Sequence, residues 1–157
     1  MTESETTRWL SAQQQRSWRN YLGGVALLSE RLDRDLRERH DLSLPEYEIL
    51  VRLSEQDDHR MRMAELAHAV AHSRSRITHT VSRLEQAGLV ERHSHVSDGR
   101  GVDAVLTESG YRRLSEAAHT HVAGVREHFV DLASDEEFAA VGDVMRRVAD
   151  RLGGADF

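Results

Sequence analysis

Cysteine is absent from the 157 residues, which excludes disulfides, thiolate metal sites and thiol-based redox switching and makes a reducing, cytoplasmic setting the expected one. Lysine is absent too, so all 21 basic residues are arginine. Arginine suits bidentate contact with phosphate and guanine, but a GC-rich coding sequence gives the same bias, and the absence by itself decides nothing. No apolar run approaches the roughly 20 residues needed to cross a bilayer, and the polar start MTESETTRW lacks the basic and apolar regions of a secretory signal. A soluble protein with no membrane partner is expected. There is no glycine-rich phosphate loop, no thiol nucleophile and no paired acid set in a polar pocket, so neither catalysis nor a cofactor is expected.

What is present is enough chain for one well-buried domain, residues 1–157, and too little for two. The net charge of -6 argues against a nucleic-acid partner on average. The average hides an asymmetry, because residues 60–100 hold seven Arg against four Asp or Glu, a net +3 that leaves the remainder at -9. The local field matters more than the sum.

Periodicity and capping signals divide the chain into helices around one small β unit. Ser11 with Gln14 forms a capping box for a long helix over about 11–39, whose apolar face runs through Trp18, Leu22, Val25, Leu28, Leu32 and Leu36. At ~1.5 Å per residue that helix is roughly 40 Å long, more than a domain of this size covers with its own mass. Ser43 and Glu46 form a second box around the single proline, Pro45, in the first turn of a helix reaching about Leu53. EQDDHR reads as a polar turn. Met63, Leu66, Ala67 and Val70 then share one face of a short helix, residues 71–73 make a turn, and a second helix runs from about Arg74 to Ala87 with Ile77, Val81 and Leu84 inward. Gly88 supplies its left-handed stop. LVERHSH and VDAVLT read as two strands joined by the tight turn VSDGRG. Thr107 caps a further long helix carrying Tyr111, Leu114, Ala118, Val122, Val125, Phe129 and Leu132, and Ser134 with Glu137 caps a last one through Phe138, Val141, Met145, Val148 and Leu152. The fold class predicted is mainly α with a small β-hairpin (α+β), and only the first few and last few residues look disordered.

At 100° per residue, Ser75, Arg76, His79, Ser82, Arg83 and Gln86 fall on an arc of about 120° opposite the apolar residues of the second helix, and Thr78 adjoins it. Between Ser73 and Gln86 the one acid is Glu85, so phosphates approach without repulsion. Ser73 and Arg74 lie at the helix start, where free N–H groups favour an anion. In the strand–strand turn, Arg100 projects between Gly99 and Gly101, and Asp98 is placed to pre-order its guanidinium. An Arg at such a tip suits a narrow minor groove. Each feature alone reads equally well as a solvated surface. Two helices, a donor-lined second helix and a hairpin in that order are the layout of a winged helix-turn-helix, and they point to double-stranded DNA.

Together, SRSRITHTVSRLEQAGLVER and DGRGVDAVLTESG, with LSLPEYEILVRL ahead of them, resemble the MarR family of bacterial transcriptional regulators. The resemblance implies a winged helix-turn-helix lobe over 45–107, flanked by helical dimerisation regions at 8–40 and 108–153. It further implies a homodimeric repressor on an inverted-repeat, palindromic operator, with DNA-binding residues Ser73, Arg74, Ser75, Arg76, Thr78, His79, Ser82, Arg83, Asp98 and Arg100. Helices too long and too apolar for one domain independently require a second chain. The glycines at 99 and 101 depart from the family's usual wing and predict a looser tip.

The resemblance also implies a small aromatic or phenolic effector held between the dimerisation helices and the DNA-binding lobe. Trp18, Tyr21 and Tyr47 are the candidate walls, with Arg16, Arg19 or His40 to meet its carboxylate. Ordinary core aromatics and surface arginines are the competing reading of the same residues. Ten histidines raise a zinc-sensing alternative, with His68 and His72 at i and i+4 and His93 beside His95 on one side of a strand. No third ligand has a claim on either pair, so no metal is assigned. A winged helix that only binds protein is the remaining alternative, although such modules tend to lack a basic helix face.

Overall fold

The computed structural model describes residues 7–70, 74–95 and 101–153. In chain order these form α1 (Ala12–His40), α2 (Leu44–Ser54), β1 (Arg60–Arg62), α3 (Met63–Ala69), α4 (Arg74–Gln86), β2 (Val90–Ser94), β3 (Val102–Leu106), α5 (Glu108–His128), a 3-10 turn (Val130–Leu132) and α6 (Asp135–Leu152). No helix among the described residues is long and apolar enough to cross a membrane.

The helix starts follow local chemistry. Ser11, Ser43 and Ser134 each accept from the backbone N–H three residues on, while Gln14, Glu46 and Glu137 return the bond to the cap backbone. Thr107 caps α5 by accepting from Gly110 N–H. Each reciprocal pair satisfies two N–H groups that the helix leaves orphaned.

The sheet departs from the predicted hairpin. It has three antiparallel strands in the order β1-β3-β2, with Arg60 opposite Val105 and Arg62 opposite Asp103 on one side of β3. On the other side Val90 faces Leu106 and Ser94 faces Val102. β1 starts at the end of the stretch read as a polar turn. Three residues, two of them Arg, are too few and too polar to show a period of two. The strand forms because it satisfies the outer edge of β3, and His59 at φ 53 turns the chain into it.

The predicted run of α5 to Leu132 is also interrupted. The helix ends at His128, Phe129 leaves helical geometry, and the 3-10 turn redirects the chain. There Phe129 meets Phe138 of α6 edge-on, ring centroids 5.2 Å apart, and Arg126 reaches across to Asp131 at 2.6 Å.

The core lies where α2, α3 and α4 close on the sheet. Ile49, Leu50, Leu53, Leu66, Ile77, Val81, Leu84, Val90 and Ala104 are buried there, and each large side chain contributes about 1.5–3 kcal/mol of burial. The inward residues of α4 include the three that its periodicity predicted, Ile77, Val81 and Leu84, and Thr80 is buried beside them. α1 joins through its C-terminal end only. Leu32 and Leu36 are buried beside α5, Arg113 donates to the His40 carbonyl at 2.7 Å, and His40 Nε2 lies 2.7 Å from Thr120 Oγ1. Asp33 accepts from Leu44 N–H at 2.8 Å and from Arg37 at 2.6 Å, fixing the angle between α1 and α2. Burial works against the Asp33 charge, but these two hydrogen bonds outweigh it and hold the carboxyl below its ordinary range.

Beyond that end, the apolar stripe of α1 is uncovered: Trp18 is 52%, Leu22 47% and Val25 45% exposed. No residue of α6 is buried against the rest of the described chain.

Candidate nucleic-acid interface

α4 presents two faces. Ile77, Thr80, Val81 and Leu84 are buried, while Ser75, Arg76, Thr78, His79, Arg83, Glu85 and Gln86 are exposed. The helix ends where Gly88 takes φ +71, and Leu89 N–H closes back on the Leu84 carbonyl at 2.9 Å. Leu89 and Val90 then turn into the core, so the exposed face of α4 is held relative to the sheet by its own continuation.

Five polar contacts brace that face. Arg83 is held by an ion pair: its Nε lies 3.1 Å from Oε1 of Glu46, whose side chain is 6% exposed on α2. Ser82 is half-buried; its hydroxyl donates to the Thr78 carbonyl at 2.9 Å and accepts from Arg92 at 2.7 Å. Arg92 on β2 also donates to the Thr78 carbonyl at 2.9 Å and stands 3.7 Å from Glu85. Ser82, predicted to face DNA, thus spends its hydroxyl inside the protein. Arg92 neutralises Glu85, the one acid of the helix.

Arg92 and Glu46 were not singled out from the sequence. Both belong to motifs that were read for another purpose, and their partners lie on other elements. An alternation count places Arg92 on the same side of β2 as Val90, which is the available signal for its turning towards α4.

Beside the brace, an open cleft of about 390 Å³ lies between the start of α3, α4 and the two wing strands, lined by Arg62, Met63, Thr78, Arg92, Gly101 and Val102. At the base of the wing, Asp103 is 1% exposed on β3. His95 Nδ1 lies 2.8 Å from one of its oxygens and Arg60 Nη1 3.8 Å from the other, so one carboxylate on β3 meets β1 and the residue that follows β2. On α2, burial pushes the carboxyl of Glu48 up, against the pull of Arg52 and Arg76.

Of the predicted DNA-facing residues, Ser75, Arg76, Thr78, His79 and Arg83 share the exposed side of α4, and Arg74 opens the helix. Ser73, Asp98 and Arg100 lie outside the described residues. The candidate effector residues are not brought together within one chain. Arg16, Trp18, Arg19 and Tyr21 are exposed near the start of α1, with Trp18 and Tyr21 stacked at 5.9 Å. Tyr47 is buried against His121 at 4.5 Å, and His40 ends α1. Tyr21 and His40 are nineteen positions apart on one helix, or about 28 Å.

The histidine pairs part company as well. His93 meets Glu91 at 2.9 Å and His95 meets Asp103, while His68 is exposed and His72 lies outside the described residues. Among the described residues no three His, Asp or Glu gather as a metal site would require.

The sequence profile of the MarR family matches residues 42–102. The chain is 30% identical over 111 residues to the HTH-type transcriptional repressor YetL of Bacillus subtilis (strain 168), covering 69% of this chain and 66% of the repressor. Among solved structures, AbsC, a MarR family transcriptional regulator from Streptomyces coelicolor, is 42% identical and superposes with a TM-score of 0.88 over 95% of this chain and all of AbsC (100%). Sco3205, a regulator of the same family and organism solved in complex with DNA, is 40% identical with a TM-score of 0.89, covering 92% of this chain and 94% of its own.

Proposed function

The chain belongs to the MarR family of transcriptional regulators, which are DNA-binding proteins and not enzymes, and from that premise we propose that it is a homodimeric repressor of a palindromic operator. The observation that carries this reading is the outward side of α4, where Ser75, Arg76, Thr78, His79 and Arg83 stand exposed over a braced and buried inner side. Such a helix enters the major groove by its N-terminal residues. Ser73, Arg74 and the wing pair Asp98 and Arg100 are assigned to the same interface, the last for the adjacent minor groove. The DNA partner of Sco3205 supports carrying DNA over to this chain, given 40% identity across nearly equal lengths. The repressor named among its relatives supports the sign of regulation.

Residues 45–107 form the reading lobe in this proposal, and 8–40 with 108–153 pair two subunits. The uncovered apolar faces of α1 and α6 support that pairing, since water-exposed stripes of this extent mark a protein interface. Two heads related by a dyad read half-sites about one helical turn apart.

A small aromatic or phenolic effector remains part of the proposal. A site that uses Trp18, Tyr21, Arg16 and Arg19 together with His40 and Tyr47 draws on both subunits, because one chain holds the two groups apart. The effector acts only if it binds one spacing of the heads better than the other.

The test is a fluorescence anisotropy titration with the region upstream of the protein's own gene against random duplex DNA. Preference for the upstream region, lost as salt rises, is the expected result. Equal affinity for both duplexes refutes operator recognition.

A further inference from the structure

We propose that Glu46 is a positioning residue for DNA binding: from the buried start of α2 its carboxylate fixes the Arg83 guanidinium at the edge of α4, so that the outer nitrogens meet a backbone phosphate. The proposal rests on the reading of α4 as the DNA-facing helix.

Glu46 is 4% exposed, and its two oxygens have different duties. Oε2 accepts from Ser43 N–H at 2.7 Å and closes the capping box. Oε1 lies 3.1 Å from Arg83 Nε, while the Arg83 side chain remains 53% exposed. The guanidinium is thus held by its inner edge with its outer edge open to solvent. The neighbouring cation on α1, Arg37, is committed to Asp33 at 2.6 Å. A carboxylate so deeply buried is costly unless a cation meets it, so the pair holds Arg83 in place as well as Glu46. Capping alone does not require a charge. On α1 the neutral Gln14 returns the same bond to Ser11 N–H at 2.9 Å. What the carboxylate adds at residue 46 is a negative charge and a second oxygen, and that oxygen is paired with Arg83. An arginine fixed beforehand surrenders less side-chain freedom when phosphate arrives.

Glu46→Gln separates the two duties. The amide oxygen serves the cap, which leaves the NH2 group facing the guanidinium, donor against donor, and Arg83 is released. The experiment measures binding of the full-length protein to a mixed-sequence duplex of about 30 base pairs, long enough for two half-sites, across a salt series. It uses wild type, Glu46→Gln, Arg83→Gln and the double variant, with melting followed by circular dichroism. Because the assigned partner is a phosphate, the loss is expected to be independent of sequence. Glu46→Gln should weaken binding about five- to tenfold and make the slope of log K against log salt shallower, by up to about 0.9 for each phosphate no longer neutralised. In the Arg83→Gln background it should add nothing. An unchanged slope in Glu46→Gln overturns the proposal, and so does an equal further loss in the Arg83→Gln background, which assigns the effect to α2 itself. Wild type that fails to bind the duplex at low salt refutes the DNA reading first, and this proposal with it.

Discussion

Gly110 sets α5 close against the Leu89 backbone and the Leu106 side chain. A Cβ there would run into the Leu89 carbonyl oxygen and lie 2.7 Å from Leu106 Cδ1. The obstacle is backbone, which yields little, so Gly110→Ala should destabilise by about 1–3 kcal/mol, read as a lower urea midpoint at unchanged slope. His121 offers a test by pH. Its ring lies against Tyr47 and burial lowers its pKa below the ordinary 6.5. The unfolded chain therefore takes up the proton first, so His121 costs nothing above pH 6.5 and withdraws stability as the pH falls below it. His121→Phe should flatten the decline of melting temperature between about pH 7 and pH 5; a decline as steep as wild type assigns the acid sensitivity elsewhere. At this scale the sequence exposed the alternation of polar and apolar residues on α4, which is local. It did not expose Arg83 on Glu46, Arg92 on Ser82 or Asp103 between Arg60 and His95, because each joins residues that meet only after the chain has folded.

At the scale of elements, the prediction belongs to α4. Arg76 is exposed near its start. If it meets a base edge, Arg76→Ala should cost about 1–3 kcal/mol against the preferred sequence and much less against others. Measuring both duplexes in parallel decides it, since a uniform loss reassigns Arg76 to phosphate. Helix starts were legible because capping boxes are written in four consecutive residues, as Ser11–Gln14, Ser43–Glu46 and Ser134–Glu137 show. β1 was not legible, since three residues carry no period and the strand exists only as the partner of β3. The stop of α5 at His128 was hidden for the opposite reason. The apolar spacing of Phe129 and Leu132 continues the helical pattern, and the packing of Phe129 on Phe138 interrupts it.

For the whole molecule the prediction concerns the uncovered faces of α1 and α6, which the proposed second subunit covers. Phe138, Val141, Met145, Val148 and Leu152 are between 36% and 79% exposed, and α6 contributes nothing buried to the core around α4. In the proposed homodimer α6 lies at the subunit interface, so Val141→Asp combined with Val148→Asp should yield a folded monomer. Sedimentation equilibrium should halve the mass while circular dichroism stays nearly unchanged, and operator affinity should fall by about a hundredfold as two-headed binding is lost. A double variant that stays dimeric moves the interface away from α6.

The sequence by itself determined the order of helices, their caps, the buried side of α4 and the family, because these depend on neighbours within a turn or two and on motifs of consecutive residues. Tertiary structure decided the third strand, the break after α5 and the separation of Tyr21 from His40. It also decided which polar side chains of α4 are spent inside the protein. Those outcomes turn on distances between elements, and no local periodicity encodes a distance across the fold.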